Sequence, residues 1–489
     1  MDLSHNSLQG LVPCFIGNQT SLSVLKLTGN GFEAPLPSCM GNMFQLTVLD
    51  LSVNLFKGEI PNSLSNLRSL CLLDLSHNKF SGEISSSVAV IFERVGCWLE
   101  SIEWEHSSRL SYLKELDASS NQLNGSIPVG LGQLSDLQIL DLSYNSLDGM
   151  LSEQHFTTLK NLTELRLSSN SLVINVSSQW VPPFQIQVLR TASCTLGPQF
   201  PSWLQTQRHV TELDMSNANI SDIMPDWFEL MSSCIKRLNI SNNHIRGKLP
   251  KFQMKCNESG TYTNRELILS SNKFNGTLSA LPSSTSILDL SNNLFSGPIP
   301  AGDYAEIDVL YRNMAIQSIR KDSEKIGDLK QLESLDFSRN KLFGSIPQSL
   351  SSLTSLSHLN LSFNNLSGRI PIGNQLQTLD DQSIYVGNDR LCGAPLTKSC
   401  PGDESADDGE RQVLVNKGYR DDNDAELMWF YAGIGPGFVV GLLGVFCTLY
   451  FKRKWRYAYF QLIEDAYDRI FVAIAVKANW LRRKVHPQR

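Results

Sequence analysis

The strongest constraint on this chain is a six-residue unit, L-x-L-S-x-N, that recurs along most of its length. It stands at residues 25–30, 49–54, 73–78, 140–145, 165–170, 288–293 and 359–364, with weaker copies opening at Leu116, Leu189, Leu213, Leu238, Leu267 and Leu335. A shortened copy at Leu3 brings the total to 14, and Asn6, Asn30, Asn54 and Asn78 are each 24 residues apart. Alternating leucines send their side chains to one side of a short strand. A strand that short can bury them only against the next coil, so no single unit folds alone. The Asn follows the strand where the chain turns inward, and its amide can bond the backbone of neighbouring coils.

A second signature, L-x-G-x-I-P, follows in phase, as in Leu123-Asn124-Gly125-Ser126-Ile127-Pro128 and again at 342–347 and 366–371. Gly permits a turn and Pro fixes an extended path. The two signatures together predict an α/β-type repeat solenoid, a curved ribbon with a parallel sheet on its concave face. Two stretches break phase. Residues 83–112 lack a copy and carry Trp98 and Trp104, and residues 301–327 are polar without L-x-L. Each reads as a loop or as an artefact of the gene model.

On the predicted strands the residues between the leucines point outward in columns. One column holds Arg166, Arg190 and Asp214, and another holds Glu164, Val188, Glu212 and Arg237. Glu164, Arg166, Arg190, Glu212, Asp214 and Arg237 are the candidate ligand-binding residues. The recurrent Asp50, Asp74, Asp141, Asp289 and Asp336 read as part of the repeat itself.

Composition narrows the function. The net charge is -6, which argues against a nucleic-acid binder, since that needs a basic face. The 8 His are scattered. No Ser/His/Asp set, phosphate loop or metal cluster stands out, so neither an enzyme nor a cofactor is expected. Of the 10 Cys, Cys392 and Cys400 lie close together beside Gly and Pro and suit a small closing disulfide. Glycosylation sequons fall at Asn18, Asn124, Asn161, Asn175, Asn219, Asn257, Asn275 and Asn365, and none lies beyond 365. Two more, Asn239 and Asn360, lie inside strand units and are expected to stay unmodified.

The C-terminal part reads as a membrane anchor. Residues 428–451 contain no charge, and as a helix they span roughly 36 Å, enough for a bilayer core. Lys452-Arg453-Lys454-Trp455-Arg456 follows at once, while an acidic spacer over 403–426 precedes. The positive-inside rule then puts the N-terminus outside and the C-terminus in the cytoplasm. Gly433, Gly437 and Gly441 lie on one face of this helix, over 427–451, and suit close approach by a partner helix. The tail, 452–489, is short and basic, with no room for a kinase. The opening residues lack the basic and apolar regions of a signal peptide, so a chain that otherwise looks secreted is expected to be N-terminally truncated.

The run Gly387-Asn388-Asp389-Arg390-Leu391-Cys392-Gly393-Ala394-Pro395-Leu396, closing with Cys400, resembles the C-terminal cap of plant leucine-rich-repeat receptor-like proteins. These lack a kinase, and the class includes receptors for fungal effectors and fungal xylanase. The resemblance implies repeats over 1–300, an island-like segment at 301–327, repeats over 328–371 and a cap over 372–402. It further implies a plasma-membrane receptor that recognises an extracellular peptide or protein ligand, often pathogen-derived, in plant defence. Its partners would be membrane receptor kinases, one an adaptor and one a co-receptor. Alternative readings are an enzyme-inhibitor-like or decoy repeat protein, or a developmental receptor subunit.

Overall fold

A computed structural model describes residues 1–85, 113–232, 234–250, 265–278, 281, 284–300, 326–373 and 375–401. All belong to one unit, Met1–Glu404; Ser405–Arg489 forms a second, which lies outside the described residues. The expected spacer, the membrane span at 427–451 with Gly433, Gly437 and Gly441, and the tail therefore lie outside them too. Among the described residues no helix is long and apolar enough to cross a membrane.

The repeat builds a 13-stranded parallel sheet running from Val24–Lys26 to His358–Asn360, every strand paired with its sequence neighbour in the array. The shortened first copy joins through a bridge from Asp2 to Lys26. Leucines sit opposite leucines at each rung, as in Leu140 with Leu165 and Leu165 with Leu189. They are buried along the whole array, and each is worth about 1.5–3 kcal/mol relative to exposure.

The sheet is continuous across the stretches that break phase. Leu72–Asp74 pairs directly with Glu115–Asp117, and Thr285–Asp289 with Ser334–Asp336. The described residues that flank the second stretch meet, because Ile326 N donates to Pro300 O at 3.1 Å. The repeat resumes at Ile326, one residue before the end of the segment expected at 301–327. Ile326–Asp328 is a 3-10 turn with Ile326 and Gly327 buried in the solenoid.

Each ladder Asn satisfies backbone groups of two coils. Asn54 Nδ2 donates to Leu27 O of the preceding coil at 3.0 Å and to Leu51 O and Ser52 O of its own, while its Oδ1 accepts from Phe32 N at 3.2 Å. Asn78, Asn145, Asn293 and Asn364 repeat the pattern. The residue just before each ladder Asn has a left-handed backbone, as at Val53 (φ 52), Tyr144 (φ 54) and Phe363 (φ 53). That conformation costs roughly 1–2 kcal/mol for a non-Gly residue, and the multiple Asn bonds offset it.

Two consecutive coils lack the amide. Cys194 takes one place and donates its Sγ proton to Leu167 O at 3.2 Å. Ala218 takes the next, and its backbone carbonyl accepts from Leu196 N and Gly197 N instead. The coils approach so closely there that a Cβ on Gly197 would meet Asn219 O at 1.8 Å. Asn243 then serves a double load, accepting from both Ala218 N (3.1 Å) and Ile220 N (3.0 Å).

The L-x-G-x-I-P segments also form strands, which the turn chemistry did not anticipate. Lys57–Gly58, Lys79–Glu83, Gln122–Ser126 and Ser146–Asp148 make a four-stranded sheet, and a six-stranded one runs from Arg246–Gly247 to Arg390–Cys392. Gly125 turns there at φ +73. Beyond it, Pro caps a 3-10 helix at Cys14–Asn18, Ser38–Asn42, Asn62–Asn66, Val129–Gln133, Ser202–Thr206 and Gln348–Ser352. Its fixed φ suits a helix entry and its missing N–H is lost where none is needed. Cys14 and Cys39, which could not be paired from the sequence, are bonded across two coils. Cys392 is bonded to Cys400.

Asn243→Ala is expected to leave the Ala218 and Ile220 N–H groups and the Met215 carbonyl without partners, a loss on the order of 3 kcal/mol. Native-state hydrogen exchange should show the Ala218 and Ile220 amides deprotected far more than the Leu8 amide is by Asn30→Ala at the exposed first coil. Equal deprotection would refute the double load.

Candidate functional site

The sheet register brings the candidate residues together as the columns predict. Arg166 pairs with Arg190 and Arg190 with Asp214, while Glu164 pairs with Val188, Val188 with Glu212 and Glu212 with Arg237. Their side chains form a charged group of two ion-paired sets, one about Glu212 and one about Arg166, while Asp214 bonds Ser216 and Asn239 instead. Glu212 Oε1 accepts from Arg190 Nη2 at 2.8 Å and from Arg237 Nη1 at 3.1 Å. Arg166 contacts the Glu164 carboxylate through Nη2 and lies 3.6 Å from Asp141 Oδ2 through Nη1.

The sequence reading missed two members of the group. Glu266 accepts from Arg237 Nε at 3.3 Å. It occupies the next rung of the same column, so counting on from Leu238 to the weak copy at Leu267 would have found it. Asp141, assigned to the repeat alone, is also an ion-pair partner of Arg166. Its repeat role holds as well, because its Oδ1 accepts from Ser143 N at 3.0 Å. Asp50, Asp74, Asp289 and Asp336 make the same turn-closing bond to the Ser two residues on.

The group is anchored by its acid and open at its bases. The Glu212 side chain is 17% exposed, against 41% for Arg190 and 51% for Arg237. Burial alone would raise the Glu212 pKa, but the hydrogen bonds and charges of Arg190 and Arg237 outweigh it and hold the carboxyl below its ordinary range. Arg190 uses one of its five N–H donors on Glu212 among the described residues. Arg166 Nε is buried with no acceptor. Half-exposed pairs like these contribute about 0–1 kcal/mol each, so the arginines are held in place more than they hold the fold.

Two rungs toward the N-terminus the face turns acidic. Asp117 is pushed up to about 6, first by burial and then by Asp141 and Asp74, against the bonds from Ser119. Glu115 is raised as well, by burial, Asp74 and Glu164, with Arg166 opposing. A groove of about 590 Å³ lined by Ile346, Pro347, Ile370 and Pro371 lies at other residues, away from these columns. Among the described residues no group of His, Cys, Asp and Glu could hold a metal ion.

Of the sequon residues, Asn18, Asn124, Asn161, Asn175, Asn219, Asn275 and Asn365 are exposed, and Asn257 lies outside the described residues. Asn239 and Asn360 are half-buried on the long sheet.

Comparison with known proteins agrees with this architecture. A leucine-rich repeat region model matches residues 6–226 and leucine-rich repeat models match 310–366, 234–256 and 355–379. Receptor-like protein EIX2 of Solanum lycopersicum is 38% identical over 212 residues, 43% of this chain and 18% of that protein. Receptor-like protein EIX1 of the same plant is 44% identical over 136 residues, 28% of this chain and 13% of that protein. The matched stretch thus spans under a fifth of either relative. A solved plant peptide hormone receptor, RGFR1 in complex with RGF2, is 26% identical with a TM-score of 0.58, covering 80% of this chain and 59% of that one.

Asp117→Asn tests the acidic rungs, since Asn fills the same turn position at Asn239 and Asn360. A carboxyl raised from 3.8 to about 6 gives the fold stability that is complete below pH 4 and lost as pH rises through 6. The variant should therefore be more stable than the parent at pH 7, by at most about 3 kcal/mol, with most of the gain gone by pH 4. Thermal unfolding at both pH values measures this, and a gain that persists undiminished at pH 4 would contradict it.

Proposed function

We propose a recognition role for this chain, which is a leucine-rich-repeat protein of the plant receptor-like kind: its long sheet binds an extracellular polypeptide. The observation that carries this is the charged group on adjacent rungs, with Arg190 and Arg237 held by the more buried Glu212 and still open to solvent. A planar guanidinium fixed on one side can meet a carboxylate or a peptide carbonyl on the other at little further entropic cost. The neighbouring acids Asp117, Glu115 and Asp141 favour a ligand that carries positive charge as well. The rungs repeat about every 4.8 Å, so an extended peptide can lie across several of them.

The receptor reading continues into residues outside those described. The uncharged stretch over 427–451 anchors the chain in the plasma membrane as a single pass, and Gly433, Gly437 and Gly441 let the helix of a receptor kinase pack closely. A chain with a broad recognition surface and a close-packing face on its span passes its signal through such partners, an adaptor and a co-receptor. The sequence similarity to plant receptor-like proteins supports a place in plant defence.

Two experiments test the two halves. A random-peptide display library panned on the full chain should yield binders that lose about tenfold affinity (1.4 kcal/mol) when Arg190 and Arg237 are both changed to Ala. Binders indifferent to both changes would move recognition off this group. Separately, co-precipitation of receptor kinases with the full chain should fall when Gly433, Gly437 and Gly441 are changed to Leu. Undiminished association would remove the helix contact from the proposal.

A further inference from the structure

The repeat is rich in Asn and Ser, so sequons arise in it by composition alone, and the structure sorts them. In Asn360 both ends of the amide are engaged: Oδ1 accepts from Ser362 N and Oγ, and Nδ2 donates to Asp336 Oδ2 at 3.1 Å. Asn239 is tied in the same way to Ser241 and Asp214. In both, the sequon hydroxyl itself is bonded to its own Asn. Asn365 is the opposite case. It is exposed and opens a strand of the second sheet, and its amide makes no hydrogen bond among the described residues.

Beside Asn365 in register lies Phe343, on the neighbouring coil, with 50% of its surface exposed. The arrangement recurs. Asn275 is in register with the exposed Leu294, and Asn175 Nδ2 lies 3.6 Å from Sδ of the exposed Met150. Cross-strand neighbours on one face are close enough to touch. Two sequon amides without a hydrogen bond among the described residues, and a third bonded only to a thioether, each beside a large apolar side chain left in water, call for a cover that is attached to the Asn.

We propose that Asn365, Asn275 and Asn175 carry N-linked glycans whose first sugar rests on Phe343, Leu294 and Met150, while Asn360 and Asn239 stay unmodified. The inference rests on the extracellular reading above, because the donor is a lipid-pyrophosphate-linked oligosaccharide of the secretory pathway. In the transfer, Nδ2 forms a bond to C1 of the terminal N-acetylglucosamine and the C1–O bond to pyrophosphate breaks. The lipid pyrophosphate leaves with the bonding pair, and the amide gives up one proton. The C–H face of a pyranose then covers the ring of Phe343 and removes apolar surface from water.

The test uses the full chain, secreted behind a fused cleavable leader, so that its result does not depend on whether the chain is a receptor. Peptide mass spectrometry after amidase release in heavy-oxygen water should find Asn365 occupied in most molecules and Asn360 and Asn239 in none. Trimming the glycans to a single sugar should leave the Tm unchanged, and complete release should lower it by about 2 °C. In Phe343→Ser that drop should shrink measurably. An unoccupied Asn365, an occupied Asn360, or a drop of the same size in Phe343→Ser would overturn the proposal.

Discussion

The hydrogen bonds of the ladder asparagines are the interaction on which this solenoid depends. Leucine burial makes stacking favourable but does not fix how one coil sits on the next, because apolar contact has no direction. The Asn amide does. It reaches the carbonyl of the preceding coil and two of its own, and accepts an N–H in return. Buried backbone groups that face neither a strand nor a helix find their partners in it, and leaving them unpaired would cost about 1–3 kcal/mol apiece. The left-handed residue ahead of each Asn is the local cost of aiming that amide inward.

The same lattice places the charged group. Since each strand stacks on its neighbour without slippage from Ile139–Asp141 to Arg237–Asn239, side chains 24 or 25 residues apart in sequence become adjacent. Glu212 can therefore bridge Arg190 and Arg237 from rungs on either side. The chemistry of the face is set by which residues fill the outward positions, and the scaffold beneath them is indifferent to that choice.

Much of this was legible in the sequence for a physical reason: every coil solves the same packing problem, so the constraint is printed many times. The 14 rungs and both columns of the charged group follow from the L-x-L register alone. What was not legible lacks that repetition or lacks a residue-type signature. The second sheet is made of strands as short as Lys57–Gly58, too brief for alternation to show. The left-handed position accepts Val53, His77, Tyr144 and Arg339 alike, so no residue type announces it. Cys14 and Cys39 are separated by 25 residues against a period of 24, and their pairing is visible only when coils are laid over one another. The membrane end, read from charge and length, lies outside the described residues.

The hydrogen bond from Ile326 to Pro300 holds together the two ends between which residues 301–325 are inserted. The entropy of holding a loop shut grows only with the logarithm of its length, by roughly 0.6 kcal/mol per doubling. Insertions at that point are therefore nearly neutral for the coils on either side, and the rung after it keeps its partner whatever is hung there. Such a scaffold can change what it displays at one place without renegotiating how it is built anywhere else, which separates the evolution of specificity from the maintenance of the fold.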